Sequence, residues 1–498
     1  MRMSTRRRLP ATALMTAMLS IAGCEGSESP AITAPASPSL SSASEARRSV
    51  CHSTERSPRV IEISSMALEA HVEHGDYPAH MVVDPSSRSV GDGVFFSRIT
   101  DAVLAARAIR YARGEMETAA CRIVIEAVPG TYSGSFDAGA DASLEAFPLI
   151  IDVPDITLRG ALTMGLDSKG RPTGVPVSAH RNSTLVPVRP LVFLPNTEAM
   201  IVVTGHPQGS VGSRILIEGF SFQSGRSDNS HGGMGIISLR ARDLVIRGNR
   251  FERGLSSAAD LRSSTALIER NYGNDLGQNC AFCLAGGEFT ATGNRLLAGG
   301  LGGIYVSAAL AHMPFALGAN PVTIIEPGVL PASATVFATI RNNEIRNHSR
   351  LPIGFGVRIL AIGPNSSQTP QGSHVVMTDN DLTANTFGLI LDAGFPIANT
   401  MLRGDLDVNL HGNSITGSCQ ANLLVGFTRH TGSLGLSSNP YLRNSTYRIT
   451  LGNDLSWAAA WFAHPAGLGN ELIVDESLAA NGIHHGFDSN ECPGLEGG

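Results

Sequence analysis

A short unit of alternating apolar residues, a polar turn with Gly or Asn, and a further apolar residue recurs along this chain from about residue 215. Examples are LVIRGNRF at 244–251, ATIRNNEI at 338–345 and VNLHGNSI at 408–415. The asparagines that mark successive units are spaced by 22, 23, 49, 37, 33 and 26 residues: Asn249, Asn271, Asn294, Asn343, Asn380, Asn413 and Asn439. A base period in the low twenties, lengthened by insertions, predicts the coils of a parallel β-solenoid.

The repeated unit favours strands over helices. Its apolar runs alternate or are wholly apolar over short stretches, with β-branched residues inside and Gly or Asn at the boundaries. Further apolar strands lie between the markers, for example GIISL at 235–239 and FGVRIL at 355–360. Roughly nine or ten coils, stacked at about 4.8 Å, would give a rod of roughly 45 Å.

The recurring asparagines are predicted to be structural. An Asn at a turn tolerates left-handed backbone angles, and its amide can hydrogen-bond to the Asn of the next coil. We therefore expect a turn ladder along one edge of the solenoid, formed by Asn249, Asn294, Asn343, Asn380 and Asn413.

The segment upstream of the repeats resembles the beginning of a known fold. FSRITDAVLAARAIRYA at 96–112 has apolar residues at helical spacing, and strand-like runs follow at 121–134 and 149–161. A helix followed by VPGTY and ITLRG resembles the start of right-handed parallel β-helix proteins of the pectate-lyase-like superfamily, over about residues 95–455. The resemblance implies an all-β solenoid at 91–455, with an N-terminal helix that caps the unpaired first coil. Residues 456–498, which include WAAAWFAH, are expected to form a C-terminal cap.

The first residues indicate an exported protein. Residues 1–8 carry four arginines, and the apolar run that follows is about 15 residues long, too short to span a bilayer. Ile21-Ala22-Gly23-Cys24 resembles the bacterial lipobox, which implies a lipoprotein signal peptide at 1–23 and acylation of Cys24. With Glu at position 25, it also implies a membrane-anchored protein of the cell envelope, at the outer membrane or cell surface. Residues 24–50 are predicted to form a flexible Ser/Pro/Ala tether.

Residues 51–90 contain a module rich in Cys and His that is predicted to stand outside the solenoid. Its Cys-His, His-x-x-His and Gly-Asp resemble a small segment of many bacterial exported proteins. A helix is expected from Ser64 or Ser65 to Gly75.

The histidines of this module suggest a transition-metal site. A spacing of three places His71 and His74 on one helical face, and Cys51, His52 or Asp76 could complete the ligand set. The alternative is a structural role in which Cys51 forms a disulfide, for example to Cys121. The two alternatives compete because a disulfide sulfur is not a thiolate ligand.

The remaining cysteines are predicted to be structural. Removal of the signal peptide and acylation of Cys24 leave six cysteines, an even number, in an exported chain. Cys280-Ala-Phe-Cys283 looks like a redox motif, but no strand-to-helix context of the thioredoxin type surrounds it.

Carboxylates on the solenoid offer candidate calcium sites. Asp379 with Asp381 and Asp405 with Asp407 have the spacing that places two residues on the same face of a strand. Enzymes of the resembled superfamily act on acidic polysaccharides as lyases or hydrolases. The polygalacturonase motifs Asn-Thr-Asp, Asp-Asp, Gly-His-Gly and Arg-Ile-Lys do not occur in this sequence.

The charge balance disfavours nucleic acid as a partner. Removal of the four arginines at positions 2, 6, 7 and 8 leaves 33 of the 37 basic residues against 43 acidic ones, a net charge of −10. The preferred hypothesis is a lipid-anchored β-helix that binds extracellular or envelope polysaccharide along its lateral face. If it is an enzyme, a polysaccharide lyase or glycoside hydrolase is expected. The alternatives are a non-catalytic structural or adhesive protein, and an envelope metal-handling protein, which rests on the His71 and His74 module alone. The cofactors that these sites would take are Ca²⁺ at the carboxylate pairs and a transition metal at the histidines.

Overall fold

A computed structural model describes most of the chain from Arg47 onward. The described residues are 47–52, 58–86, 93–115, 119–136, 141–188, 198–204, 214–225, 232–277, 280–308, 335–349, 354–361, 371–392, 404–425, 427–429, 436–438, 446–451, 460–462, 471–474 and 484–485. The predicted signal peptide, Cys24, most of the predicted tether and the marker Asn439 lie outside this set.

Successive coils pair in parallel, and their strands form three stacks. Stacks A and B together make a 22-stranded sheet, and stack C belongs to a 10-stranded sheet. Each coil visits A, then C, then B, as in Leu216–Glu218, Phe220–Phe222 and Met234–Leu239. The predicted right-handed parallel β-helix is confirmed.

The bounds of the strands are as follows. Stack A contains His80–Val83, Ile123–Ala127, Ile156–Arg159, Leu216–Glu218, Leu244–Arg247, Thr335–Arg341, Gln371–Thr378, Gly404–His411, Thr446–Leu451 and Glu471–Val474, with Phe95–Phe96 beside its first strand. Stack B contains Leu149–Ile151, Ala199–Thr204, Met234–Leu239, Gly302–Ser307, Phe355–Leu360, Phe387–Asp392, Ala421–Val425, Ala460–Phe462 and His484–His485. Ser257–Glu269 and Cys280–Thr292 bend from stack B into stack A.

Stack C and the smaller sheets complete the described strands. Stack C contains Gly130–Ser135, Glu145–Ala146, Ser183–Pro187, Phe220–Phe222, Arg250–Phe251, Tyr272–Asn274, Arg295–Leu297, Glu344–Arg346, Asp381–Thr383 and Ser414–Thr416. Antiparallel hairpins are formed by Met164–Leu166 with Pro172–Pro176 and by Phe427–Arg429 with Leu436–Ser438.

Apolar side chains from the three stacks fill the interior. In Thr335–Arg341, for example, Val336, Ala338 and Ile340 are buried, whereas Phe337 and Arg341 face outward. This alternation is the period of two that a strand imposes on its side chains. Burying one large apolar side chain contributes roughly 2 to 3 kcal/mol, so the coils are held together mainly by this core.

Six buried asparagines form a continuous ladder at the corner between stacks A and C. The side-chain Nδ2 of each donates to Oδ1 of the next at 2.8 to 3.2 Å, in the order Asn249, Asn271, Asn294, Asn343, Asn380 and Asn413. The backbone N–H of each of the first five also donates to that same Oδ1. The ladder therefore satisfies polar groups that the corner removes from water.

The left-handed residue of each corner is the one before the ladder asparagine. These residues have φ between 52° and 64°: Gly248, Arg270, Gly293, Asn342, Asp379 and Gly412. The expectation that the marker asparagines themselves adopt left-handed angles is therefore wrong. The sharp turn lies at the outward residue, and the asparagine that follows it points inward.

A helix covers the first coils. It spans Ile99–Arg113, ends at Gly114 with φ 67°, and buries Ile99, Ala102, Val103 and Ala106 against the core. Glu145 accepts hydrogen bonds from the backbone N–H groups of Ile99 and Thr100, each at 2.7 Å. Burial raises the pKa of Glu145, although the bonds from Thr100 and Ile99 oppose this effect. The predicted N-terminal capping helix is confirmed.

The Cys/His module is joined to the β-helix rather than standing outside it. Arg47–His52, Arg59–Ser64 and Tyr77–Pro78 form an antiparallel sheet, with a 3₁₀ turn at Ser65–Ala67 and a helix at Leu68–Glu73 between the last two strands. The next strand, His80–Val83, pairs with Ile123–Ala127 of stack A, and a disulfide joins Cys51 to Cys121. The first strand begins at Arg47, inside the stretch predicted as a tether.

The described residues near the C-terminus extend the stacks. Within the predicted C-terminal cap, Ala460–Phe462 pairs in parallel with the stack B residues Leu423 to Val425. Residues 460–462 of WAAAWFAH are therefore a strand, and the coil-to-coil pairing continues into the segment predicted as a cap. None of the helices among the described residues is long and apolar enough to cross a membrane.

The ladder generates a stability prediction. Asn294→Ala should lower the free energy of unfolding by about 2 to 4 kcal/mol, because the N–H and amide of Asn271 lose a buried acceptor. Asn409→Ala, at an exposed position of stack A, should change it by about 0.5 kcal/mol or less. Chemical denaturation measures both, and equal losses would contradict the role of the ladder.

Candidate functional site

The outer face of stack A carries a row of side chains from five consecutive coils. The pairing of the strands places these side chains next to one another in the order Glu288, Phe337, His374, Asp407 and Arg448. We call these five residues the central row. Because neighbouring strands are about 4.8 Å apart, the central row runs roughly 19 Å parallel to the axis of the solenoid.

An aromatic platform lies in the middle of the central row. Phe337 is 52% exposed, and its ring stacks on the imidazole of His374 with 5.0 Å between centroids and 12° between planes. Nδ1 of His374 lies 3.5 Å from Oδ2 of Asp407. His374 covers one face of the Phe337 ring, and the exposed part of the ring remains available to a ligand.

Hydrogen-bonding side chains flank the platform. The next outward row, two residues further along each strand, consists of Thr290, Thr339, Val376, Asn409 and Thr450. Hydroxyl and amide groups of this type can donate to and accept from a polar ligand. Apart from the exposed Val376, this row adds polar groups along one side of the aromatic platform.

Two adjoining pockets open on this surface. One has a volume of about 320 Å³ and is lined by Glu288, Phe337 and their neighbours, and the other has a volume of about 300 Å³ and lies at Asp405 and Arg448. His374 and Asp407 line both. Gly372 deepens the second pocket, because an added Cβ there would approach Nε2 of His374 at 3.5 Å. The two pockets therefore form one elongated depression.

In the N-terminal half of the same face, arginine and glutamate side chains neutralise each other's charge. Arg159 donates to Glu218 at 2.7 Å, and Arg247 lies 3.0 Å from Glu269 and 4.0 Å from Glu218. These alternating charges occupy successive coils, so they compensate each other. In the central row, by contrast, the exposed ring of Phe337 lies in line with acidic side chains and with the basic Arg448.

The predicted carboxylate pairs differ from each other in the structure. Asp405 and Asp407 lie on one strand and face outward beside the platform, as their spacing predicts. Asp379 and Asp381 do not share a strand, because the corner at Asn380 separates them. The assumption of a common face is therefore wrong for this second pair.

Asp381 is held by an arginine of the neighbouring coil. Nη2 of Arg346 donates to its Oδ2 at 2.6 Å, and Oγ1 of Thr383 donates to its Oδ1 at 2.5 Å. Partial burial works to raise the pKa of Asp381, but these hydrogen bonds and the Arg346 charge outweigh it and lower the pKa. A cation at Asp381 would have to displace these partners.

The two cysteines of the Cys-x-x-Cys sequence are structural. Cys280 and Cys283 form a disulfide, and both residues are fully buried in a cluster that also contains Tyr305 and Phe355. A buried disulfide is not accessible for exchange with another thiol. Cys419 is also disulfide-bonded.

The N-terminal histidines form a cluster around Asp76. Nδ1 of His52 lies 2.8 Å from Oδ2 of Asp76, and Nδ1 of His71 lies 2.7 Å from the same oxygen. Asp76 is buried, and its side chain is 2% exposed. Within the described ranges, this is the one group of three His, Cys, Asp or Glu residues whose donor atoms lie within 4.8 Å of one another.

Two of the predicted metal ligands lie outside this cluster. Cys51 is bonded to Cys121, so it offers no thiolate. His74 is an exposed residue that caps the helix after Glu73, with φ −79° and ψ 2°. The prediction that His71 and His74 share one helical face is wrong, because the helix ends before His74. The turn through Gly75, with φ 90°, then reverses the chain and places Asp76 beside His71.

No motif in the sequence marks Glu288, Phe337, His374 or Arg448 as functional residues. The first three, like Asp407, lie six residues before a ladder asparagine, namely Asn294, Asn343, Asn380 and Asn413. Counting back from the markers would have aligned them. Counting back from the asparagines could not show that these side chains face solvent.

Neither a protein-family model nor a curated protein sequence matches the chain. Among solved structures, the endo-xylogalacturonan hydrolase from Aspergillus tubingensis is 11% identical, with a TM-score of 0.39, over 82% of this chain and 92% of the hydrolase. The A-module of mannuronan C-5 epimerase AlgE6 from Azotobacter vinelandii is 12% identical, with a TM-score of 0.30, over 76% and 96%. Tailspike protein 3 of bacteriophage CBA120 is 9% identical, with a TM-score of 0.28, over 86% and 63%. At these identities the likeness concerns the fold alone.

The Asp381–Arg346 pair generates a pH prediction. Because the pKa of folded Asp381 is lowered below its ordinary value of 3.8, its contribution to stability is present above that pH and is lost as the pH falls through the folded-state pKa. Asp381→Asn should lower the free energy of unfolding by up to about 1 kcal/mol at pH 7, and the difference from wild type should shrink at pH 3.

Asp379→Asn is the matched control. Asp379 is exposed at the left-handed corner position, which Asn also tolerates, so little change is expected at either pH. Urea denaturation of the three proteins at pH 7 and pH 3 measures the effect. A loss in Asp381→Asn that is unchanged at pH 3 would argue against the ion pair.

Proposed function

We propose that the outer face of stack A binds a polysaccharide chain along the central row. The observation that carries this proposal is the Phe337 ring, 52% exposed and stacked on His374 in the middle of a polar row. A sugar ring has an apolar C–H face and a rim of hydroxyl groups. It therefore matches an aromatic platform with hydrogen-bonding groups beside it.

The length of the surface favours a chain over a small molecule. The same outward positions recur at each coil, about 4.8 Å apart, so a ligand that runs parallel to the solenoid axis meets similar contacts repeatedly. The two adjoining pockets share His374 and Asp407, which supports one continuous ligand.

The local charges favour a polysaccharide without strong negative charge. Glu288, Asp405 and Asp407 line the depression, against Arg448 and His374 as groups that can carry positive charge. A polyanion would be repelled by the three carboxylates. Neutral glycans with many hydroxyl groups are therefore the preferred ligand class.

The cellular setting is part of the same proposal. The lipobox-like Ile21-Ala22-Gly23-Cys24 supports lipid anchoring at Cys24, in the cell envelope and most readily at the outer membrane or cell surface. Envelope or extracellular polysaccharide would be accessible to a β-helix in that location. Radiolabelled fatty acid incorporation, absent from a Cys24→Ser variant, tests the anchor.

Binding should depend on the platform. We expect Phe337→Ala to weaken binding of the preferred glycan by about tenfold, because stacking on the ring is lost. Affinity electrophoresis against a panel of neutral and acidic polysaccharides, followed by calorimetry on the strongest ligand, measures the change.

Leu166→Ala is the control for this experiment. Leu166 is 49% exposed on the hairpin formed by Met164–Leu166 and Pro172–Pro176, and it lines neither pocket of the proposed binding surface, so its removal should leave binding unchanged. Equal binding by wild type and Phe337→Ala, or no binding of any glycan by wild type, would leave the non-catalytic structural or adhesive role as the remaining hypothesis. Released oligosaccharides that disappear in Asp407→Asn would instead identify an enzyme.

A further inference from the structure

The N-terminal cluster brings together three donor groups from different parts of the chain. His52 is the last residue of strand Arg47–His52, His71 lies in the helix Leu68–Glu73, and Asp76 follows the turn after that helix. Both imidazoles approach the same carboxylate oxygen, and their rings are 5.9 Å apart at 77°. A buried carboxylate requires polar or charged partners, and two imidazoles fill this role at Asp76.

The backbone around the cluster is held in place. The N–H of Asp76 donates to the carbonyl of His71 at 3.0 Å, and the N–H of Gly75 donates to the carbonyl of Val72 at 2.9 Å. Next to His52, Cys51 is tied to Cys121 by a disulfide. The three donors are therefore positioned before any ligand arrives, which lowers the entropy cost of binding.

We propose that His52, His71 and Asp76 bind one divalent transition-metal ion. Two imidazole nitrogens and a carboxylate oxygen are a ligand set suited to Zn²⁺, Cu²⁺, Ni²⁺ or Fe²⁺. With metal–ligand bonds of about 2.0 to 2.2 Å, tetrahedral geometry separates the donors by roughly 3.3 to 3.5 Å. The present separations of 2.7 and 2.8 Å need to open by roughly 0.6 Å, which rotation of the imidazoles provides.

Exposure of the imidazoles provides access for the ion. The side chains of His52 and His71 are 33% and 27% exposed, whereas that of Asp76 is 2% exposed. An ion can therefore enter from the solvent side, and one coordination position would remain for water or an external ligand. A buried carboxylate gains from a cation beside it.

The neighbouring charges permit a cation at this place. Arg113 donates to the carbonyl of Gly75, and Arg110 lies behind Tyr77. Both arginines pair with Glu115, at 3.3 and 2.6 Å, which offsets part of their positive charge. Ca²⁺ and Mg²⁺ prefer all-oxygen ligands, so the two imidazoles of the cluster make them poor occupants.

Zinc binding tests the assignment. The purified full chain is stripped with a chelator and titrated with Zn²⁺ by calorimetry. We expect one equivalent to bind with a Kd of about 1 µM or tighter, and no binding of Ca²⁺. His52→Gln and His71→Gln should each weaken Zn²⁺ binding by at least about tenfold. Failure of the wild-type protein to bind Zn²⁺ would overturn the proposal.

The matched control is His74→Ala. It removes the other histidine of the same His-x-x-His sequence but lies outside the cluster, so its Zn²⁺ affinity should equal that of wild type. Equal losses in His74→Ala and His71→Gln would contradict the ligand set. Co²⁺ provides a second readout, because its visible absorption reports coordination directly and should be lost in both glutamine variants.

Two further variants separate this site from folding and from the polysaccharide face. Asp76→Asn removes a ligand charge but can also destabilise a buried position, so its unfolding transition is measured before its affinity for Zn²⁺. If Asp76→Asn unfolds, the Zn²⁺ affinities of His52→Gln and His71→Gln test the ligand set instead. Phe337→Ala should bind Zn²⁺ as the wild type does, because the two sites share no residue.

Discussion

Hydrogen bonding between successive coils is the interaction on which the rest of the structure depends. Each coil has one set of backbone donors and acceptors that is satisfied only by the coil before it and the coil after it. At the A–C corner, where strand pairing is interrupted, the buried asparagine amides take over this role. The ladder also sets the register, because a shift of one residue would move every inward side chain to the outside.

The first coil has no coil before it to satisfy its backbone hydrogen-bonding groups, and several elements cover this end of the solenoid. The helix Ile99–Arg113 covers the apolar interior, and its buried Arg110 donates to the carbonyl of Cys121 at 2.6 Å and to Tyr77 Oη at 2.8 Å. The disulfide Cys51–Cys121 ties the antiparallel sheet to the same coil. The unpaired edge, which would otherwise invite association with other strands, is thus covered by elements that also position the histidine cluster.

Strand pairing explains why both candidate sites are assembled from distant parts of the sequence. On stack A, register brings Phe337 beside His374 although 37 residues separate them. At the N-terminal end, antiparallel pairing of Cys51 with Tyr77 brings the neighbouring His52 and Asp76 together across 24 residues. An elongated surface with an aromatic centre suits a chain-like ligand, whereas a compact group of three donors suits an ion. The two proposals are therefore independent of each other.

The sequence alone determined the parallel β-solenoid, its period and five of the six asparagines in the ladder, because these follow from a local pattern that repeats; Asn271, which bonds to both Asn249 and Asn294, was missing from the predicted ladder. It also identified the helix near residue 100 and the histidines near residue 71. Only the tertiary structure decided which outward positions remain exposed: the ring of Phe337 on stack A is open, whereas Tyr305 on the outer side of stack B is buried. It likewise decided that the helix ends before His74 and that a corner separates Asp379 from Asp381. Exposure and chain reversal depend on how non-adjacent segments pack, and a residue pattern along one strand or helix carries no information about that packing.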